Sequence, residues 1–413
     1  VTTLAPTLPI TFEPTLQAAH ARLAAVHPDV YARTRNALSG AVTRLSPYLT
    51  HGILSLREVY DSVHARHPLD LQHKFVFELG WRAYWHHVWD HVGDGVHASL
   101  RRGLMPEDAY QTEMPADIVE ARTGVPAIDL AVRELYATGY VHNHARMWLA
   151  SYMVHLRKVH WHAGAQWMLG HLLDGDVASN HLSWQWVAAT GSSKPYLFNA
   201  DNVAKYAPAA WHSFGSVIDT RYEALDKIAR SSARLQDPRA AAAAGEGMPA
   251  PSLHASPLQI VAGWSAPDAA IAKGRDIWLV HPWCLCALPD PNLPGETAHI
   301  DTLVIAAGFV ESHRDTPWSA RRWQFVTQGL QAHTPHLWWC AAADIAEALR
   351  EVRSVTWHPD PHVDVALFEV QAQLKQGTQS PTCKTLSRPA LFEPVSKHCA
   401  SFSEWWRRTR LVT

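Results

Sequence analysis

Asp174-Gly-Asp-Val-Ala-Ser-Asn-His-Leu-Ser-Trp-Gln-Trp186 is the stretch that decides how this chain is read. Two carboxylates, the neutral amide of Asn180 and two indoles follow the apolar run Trp167-Met-Leu-Gly-His-Leu-Leu173. As a helix, the stretch places Asp176, Asn180 and Trp184 at i, i+4 and i+8 on one face, while Gln185 and Trp186 turn elsewhere. A face that is polar and aromatic at once suits a flat, heteroatom-edged ring better than a lipid or a plain core. Singly, each Trp or Asp here is more often a core residue or a cap. It is their company that points to a ligand.

The wording resembles the flavin-cradling motif of the cryptochrome and DNA photolyase family, Asp-Gly-Asp-Leu-Ala-Ser-Asn-Asn-Gly-Gly-Trp-Gln-Trp. This chain departs from it only in the middle, where His181-Leu-Ser183 replaces Asn-Gly-Gly. The resemblance implies FAD, folded so that its adenine nears the flavin, with Asp174 and Asp176 at the cofactor. It sets Asn180 opposite flavin N5, where a neutral amide hydrogen-bonds the protonated nitrogen of a reduced flavin without adding charge. Trp184 becomes the flavin-proximal member of the family's tryptophan relay and Trp161 the middle one. The usual outer Trp has no counterpart, and Asp108 and Tyr110 stand in that region.

Three further runs extend the likeness over residues 31 to 206. Val42-Thr-Arg-Leu-Ser-Pro-Tyr-Leu49 reads as a Ser/Thr-capped turn before a helix beginning near Ser55, a place where phosphate can bind. It resembles the family's diphosphate-binding Thr-Ser-Arg-Leu-Ser-Pro-Tyr-Leu, matching at Thr43, Leu45 and Ser46, with Tyr31 upstream; Val42 stands where the first Thr is usual. In Phe75-Val-Phe-Glu-Leu-Gly-Trp-Arg-Ala-Tyr-Trp85, Glu78, Trp81 and Arg82 share a helix face. A surface Glu–Arg pair over a core Trp would look the same. The resemblance gives Glu78 to the polar edge of damaged thymines, Trp81 to their rings and Arg82 to the flavin. In Arg122 to Met147, Pro126 and Gly139 bracket one helix and a second begins near His142. There the likeness assigns Asn143 and Met147, with Trp186, to a lesion pocket and pairs Arg146 with Asp174. Residues 148–173 read as one apolar helix, 17–38 as another, and 94–120 as loop.

At 413 residues the chain is long enough for two domains. The expected organisation is a helical FAD-binding domain over 1–225, an Ala/Gly/Pro-rich linker over 226–256 and an α/β domain with a tail over 257–413. The last rests on apolar runs at Ile277–Val280, Leu303–Ala306, Leu337–Cys340 and Val355–Trp357, alternating with helical stretches near 317–332 and 343–352, which indicates a parallel sheet. It lacks GxGxxG and a P-loop. Arg321-Arg-Trp-Gln-Phe resembles a helix of the family's antenna domain, which normally precedes the flavin domain, so the order is permuted; whether an antenna chromophore binds there stays open. The Trp405-Trp-Arg-Arg-Thr-Arg410 tail reads as a docking helix end.

Nineteen tryptophans suggest the handling of an aromatic ligand or a lineage habit, and the 27 histidines show no ligand spacing. A formal charge of -2 leaves DNA binding to a local patch. Five cysteines without CxxC spacing argue against zinc or an iron–sulfur cluster, so no metal is expected, and their odd count favours a reducing, cytoplasmic setting. No apolar run reaches membrane-span length, and no membrane partner is expected. By resemblance the expected activity is light-driven repair of cyclobutane pyrimidine dimers in DNA by electron transfer from reduced FAD. The alternative is a cryptochrome-like blue-light receptor without repair; a light-independent flavin oxidoreductase would need a second substrate site that the sequence does not display. The oligomeric state is not legible.

Overall fold

The computed structural model describes residues 11–242, 247–286, 302–376 and 380–412. Two compact units emerge, neither contiguous in sequence: 1–13, 27–42 and 85–251 form the first, and 14–26, 43–84 and 252–413 the second. The division falls inside the Lys74–Val92 helix, between Tyr84 and Trp85.

The first unit is helical. Pro126 opens the Pro126–Thr138 helix at a position whose N–H would have no partner, and Gly139, at φ +68°, closes it in the left-handed conformation. The next helix, Asn143–Ser151, is capped by His142, and Val177–Ala188 by Asp176, whose carboxylate accepts from Ser179 N–H. Asp176 therefore precedes the helix that carries Asn180 and Trp184. These helices bury one continuous core, with Trp148, Met153, Val159 and Leu172 almost wholly enclosed.

Two expectations about helices need correction. The 148–173 run is not continuous: Asn143–Ser151 passes into a π-helical turn, Tyr152–Leu156, and a new helix starts at Trp161. Between them Lys158 adopts φ +53°, and its buried ammonium donates to the carbonyls of His155, Ile228 and Ala229 at 2.8–3.0 Å. Two of those carbonyls end the Tyr222–Ala229 helix, so the lysine acts as its C-cap. Lys158→Met is expected to strip all three of their donor and destabilise the protein by about 2–3 kcal/mol in chemical denaturation. A loss below about 0.5 kcal/mol would show that the cap is dispensable. Likewise 17–38 is two helices, Leu16–Ala24 and Pro28–Thr34, because Pro28 starts afresh at the first turn. The 94–120 region contains three short turns of helix, Gly93–His97, Glu107–Ala109 and Ala116–Val119.

The second unit holds the sheet. Among the described residues its strands are β1 (Leu253–His254), β2 (Trp264–Ser265), β3 (Asp276–Val280), β4 (Leu303–Phe309), β5 (Trp318–Ser319), β6 (Leu337–Cys340), β7 (Ser354–Trp357) and β8 (Thr382–Thr385). β1 and β5 pair antiparallel; the other six form one sheet in the order β2-β6-β4-β3-β7-β8, every pairing parallel. Ile277–Val280 and Val304–Phe309 are buried without alternation, as expected where both faces are covered. All four apolar runs are strands; β2 and β8, short and flanked by polar residues, gave no such signal. From β3 the chain moves outward through β4 to β6, then returns to the other side of β3 for β7 and β8. That reversal between β3 and β7 opens a crevice at the carboxyl ends of the strands.

Much of the tryptophan excess is spent here. Trp318, Trp323, Trp338 and Trp357 are among the largest fully buried side chains, and Trp283, Trp318 and Trp323 crowd around His313. The Phe402–Arg408 helix docks through Phe402, Trp405 and Trp406, and Gly80 is required beneath it because a Cβ there would lie 2.2 Å from the Trp406 ring.

Candidate functional site

Within the first unit, Arg146 ties the Asn143–Ser151 helix to the loop before Asp176. Its Nη2 donates to both oxygens of Asp174, at 3.0 and 2.8 Å, its Nε donates to Val141 O at 2.7 Å, and its guanidinium lies 5.3 Å from the centre of the Tyr140 ring. Burial opposes the guanidinium charge, but Asp174 outweighs it and holds the Arg146 pKa above its ordinary value. Asp176, 1% exposed, takes its cap bond from Ser179 and sits 3.2 Å from His86 Nε2. Tyr140 and His86 were not singled out in the sequence: Tyr140 sits within the run 122–147 without an assigned role, His86 lies one residue past the run 75–85, and their roles follow from chain packing.

One turn on, Asn180 is buried, and its amide nitrogen donates to Ala165 O at 2.8 Å. That commitment leaves Oδ1 to accept from a donor such as the N5–H of a reduced flavin. Trp184 is 2% exposed and presses on Gly164, where a Cβ would come within 2.4 Å of the indole. Trp161, also buried, donates from Nε1 to Ser99 Oγ at 2.9 Å and has His160 at 5.8 Å; Tyr110 lies 6.3 Å beyond His160, ring centre to ring centre. Gln185 points away from this face and pins the segment 96–100 through Val96 O, Ala98 O and Leu100 N.

Asn143 is exposed, and its amide reaches Met147 Sδ at 3.7 Å along the helix. Trp186 is 38% exposed although most of its helix is buried. Tyr31 belongs to the same unit, on the Pro28–Thr34 helix.

The remaining site residues lie in the second unit. Thr43 Oγ1 accepts from Leu45 N at 3.3 Å, and Leu45 caps the short Ser46–Thr50 helix, with Arg44 at φ +53° in the turn. Ser55 opens the following helix with a capping box to Glu58. Glu78 pairs with Lys74 at 3.0 Å, and Arg82 Nη2 donates to Thr50 Oγ1 at 3.2 Å. Trp81 stacks on Phe402, ring centres 4.1 Å apart at 12°. The tail helix thus covers one side of that indole, which nothing near Trp81 in the sequence announced.

An acceptor amide, a buried cation–carboxylate pair and an enclosed indole within one unit fit a flavin and its polar edge. The comparisons agree. Residues 75–212 match the family described as the FAD binding domain of DNA photolyase. A deoxyribodipyrimidine photo-lyase of Streptomyces griseus is 38% identical over 37% of this chain and 33% of its own length. A cryptochrome DASH of Gloeobacter violaceus is 35% identical over 39% of this chain and 34% of its own. Among solved structures, a Synechocystis cryptochrome aligns with a TM-score of 0.44 at 28% identity, covering 48% of this chain and 44% of that one. The chain spans about a third of the length of these two curated relatives. Residues 75–212 thus carry an FAD-binding domain of the kind described for DNA photolyase, and over that stretch the chain is similar to both photolyases and cryptochromes.

Proposed function

We propose that this protein repairs cyclobutane pyrimidine dimers in DNA under light, using bound FAD. The observation that carries the reading is the pairing of an enclosed flavin-type motif with open lesion-type residues: Asn180 and Trp184 are buried, whereas Asn143 and Trp186 face solvent. Indoles are costly to expose unless they stack on something flat, and a base is flat. FAD supplies the light-driven one-electron donation when bound. The protein's work is to hold and orient.

In this reading Arg146 and Asp174 fix the loop beside the ring system, Asn180 offers Oδ1 to a protonated nitrogen, and Trp184 with Trp161 forms the inner relay. His160 and Tyr110 continue that row toward the surface in place of an outer indole. Thr43, Leu45, Ser46 and Tyr31 serve the diphosphate, and Arg82 and Asp176 serve the cofactor. A dimer, poorly stacked in duplex DNA, is flipped out at modest cost. In the first unit Asn143 then bonds its polar edge, and Met147 and Trp186 hold its faces; Glu78 and Trp81 keep their lesion roles by resemblance.

The test is repair of a dimer-containing oligonucleotide by protein with chemically reduced flavin, under blue light against a dark control. Thymine recovery only in the light is expected, and Glu78→Gln should lower it about a hundredfold or more with FAD retained. Full repair by that variant would remove Glu78 from the pocket. The covering of Trp81 by Phe402 favours a second reading, a blue-light receptor without repair; no thymine recovery by flavin-loaded, photoreducible protein would establish that preference.

A further inference from the structure

We infer that Cys284, Cys286 and His358 form a zinc-binding site at the carboxyl end of the parallel sheet. Both cysteines lie in the turn that leaves β3, and His358 is the first residue after β7. These two strands are hydrogen-bonded neighbours on either side of the point where the strand order reverses. The two thiols and the imidazole offer donor atoms that all lie within 4.8 Å of one another, and the sulfur atoms are 3.1 Å apart. Cys284 and Cys286 are 4% and 8% exposed.

The surroundings are built for a metal. His358 Nδ1 bonds the Leu386 carbonyl just beyond β8, which fixes the ring and leaves Nε2 as its donor; ligating histidines are typically oriented in this way. Two thiolates offset the charge of a divalent ion. The nearby Arg388 is engaged by Gly52 O and by the Glu58 carboxylate, so its charge is partly neutralised. Gly52, at φ +64°, is required behind the site, since a Cβ would lie 2.8 Å from Trp283 O and 3.1 Å from Cys284 Cα.

A soft donor set of two thiolates and one imidazole rejects magnesium and calcium and suits zinc, which takes tetrahedral coordination by Cys and His. Three protein ligands leave the fourth position to be filled from outside. A cavity of about 160 Å³ adjoins Cys284 and His358, with Arg82 and Arg388 in its wall, so that position is suited to water or a small anion. Chain spacing could not reveal the site, because Cys-x-Cys lacks the usual zinc signature and the histidine arrives from another strand.

The experiment uses full-length protein, reduced and stripped by a chelator, titrated with Zn2+ alone. One zinc per chain is expected, and Co2+ in its place should show thiolate-to-cobalt absorption. Cys286→Ser and His358→Gln should each weaken zinc binding by roughly a hundredfold or more, while Cys340→Ser and Cys383→Ser leave it unchanged. FAD content, read in parallel, should not change in any of the four. Absence of zinc uptake by the reduced chain, or uptake undiminished in Cys286→Ser, overturns the site. So does a Cys284–Cys286 disulfide whose reduction yields thiols that take no metal. If either ligand variant fails to fold, the cobalt spectrum of the unmutated chain decides: thiolate bands sustain the site and their absence refutes it.

Discussion

Arg146→Ala is expected to destabilise the flavin-bearing unit by about 3–5 kcal/mol and to abolish FAD retention, because it leaves the Asp174 carboxylate buried without its cation. Two hydrogen bonds to Asp174 and one to Val141 O vanish together, and with them the tie between the Asn143–Ser151 helix and the loop before Asp176. The check is denaturant unfolding with flavin absorbance followed on the same samples. Adding Asp174→Asn should return a large part of the lost stability, since a neutral amide buries at lower cost than a carboxylate that has lost its guanidinium. It should not return the flavin. A single-variant loss below about 1 kcal/mol would mean that water already screens this pair.

The second large effect is on acid stability. Burial depresses the pKa of His155 and of His171 to about 4 from the ordinary 6.5. For His155, Lys158 and Arg230 push the same way, while the bond to Val187 O and the charge of Asp226 oppose them. Its Nε2 is bonded to Val187 O at 2.9 Å, and its buried Nδ1 has no hydrogen-bond partner among the described residues, so a second proton would have no acceptor. His171 is wedged between the rings of Tyr136 and Trp167. Between pH 6.5 and 4 the unfolded chain therefore binds protons that the native chain refuses, and stability falls as the pH is lowered through that window. Each histidine contributes about 3 kcal/mol, about 6 together, fully present above pH 6.5 and lost by pH 4. Asp129, whose pKa burial raises, works in the opposite direction and trims the total. Urea unfolding at pH 7, 5.5 and 4 measures the slope, and His171→Phe should reduce it by about one proton. A flat profile would contradict the burial of both rings.

How far the sequence could be read depends on whether the deciding interaction is local. Pro126, Gly139 and His142 act within a turn of where they stand, and their helix boundaries were legible. The four apolar runs announced their strands because a doubly covered sheet needs no alternation. The break at Lys158 was not legible: an apolar segment reads as helix until the carbonyls of Ile228 and Ala229, far along the chain, are known to need a donor. The resemblance named Asn180 and Trp184, but only packing shows that Ala165 orients the amide and that Gly164 makes room for the indole. Trp81 was read as a lesion contact, and its stacking on Phe402 joins residues more than three hundred positions apart. The thiols and His358 belong to the same class, brought together by strand order and by no spacing. Among the described residues no helix is long and apolar enough to cross a membrane.

The interleaving of the chain sets the order in which this protein can mature. Residues 14–26 and 43–84 leave the ribosome well before 252–413, yet the sheet and the tail helix that complete their unit lie in that later segment. Phe77 and Trp81 must wait for Phe402 before their rings are covered. Contacts of such long sequence separation make for slow closure, and the waiting segments expose apolar surface while synthesis proceeds. During that interval, with residues 252–413 still untranslated, the nascent chain is expected to need chaperones more than a protein of sequential domains would.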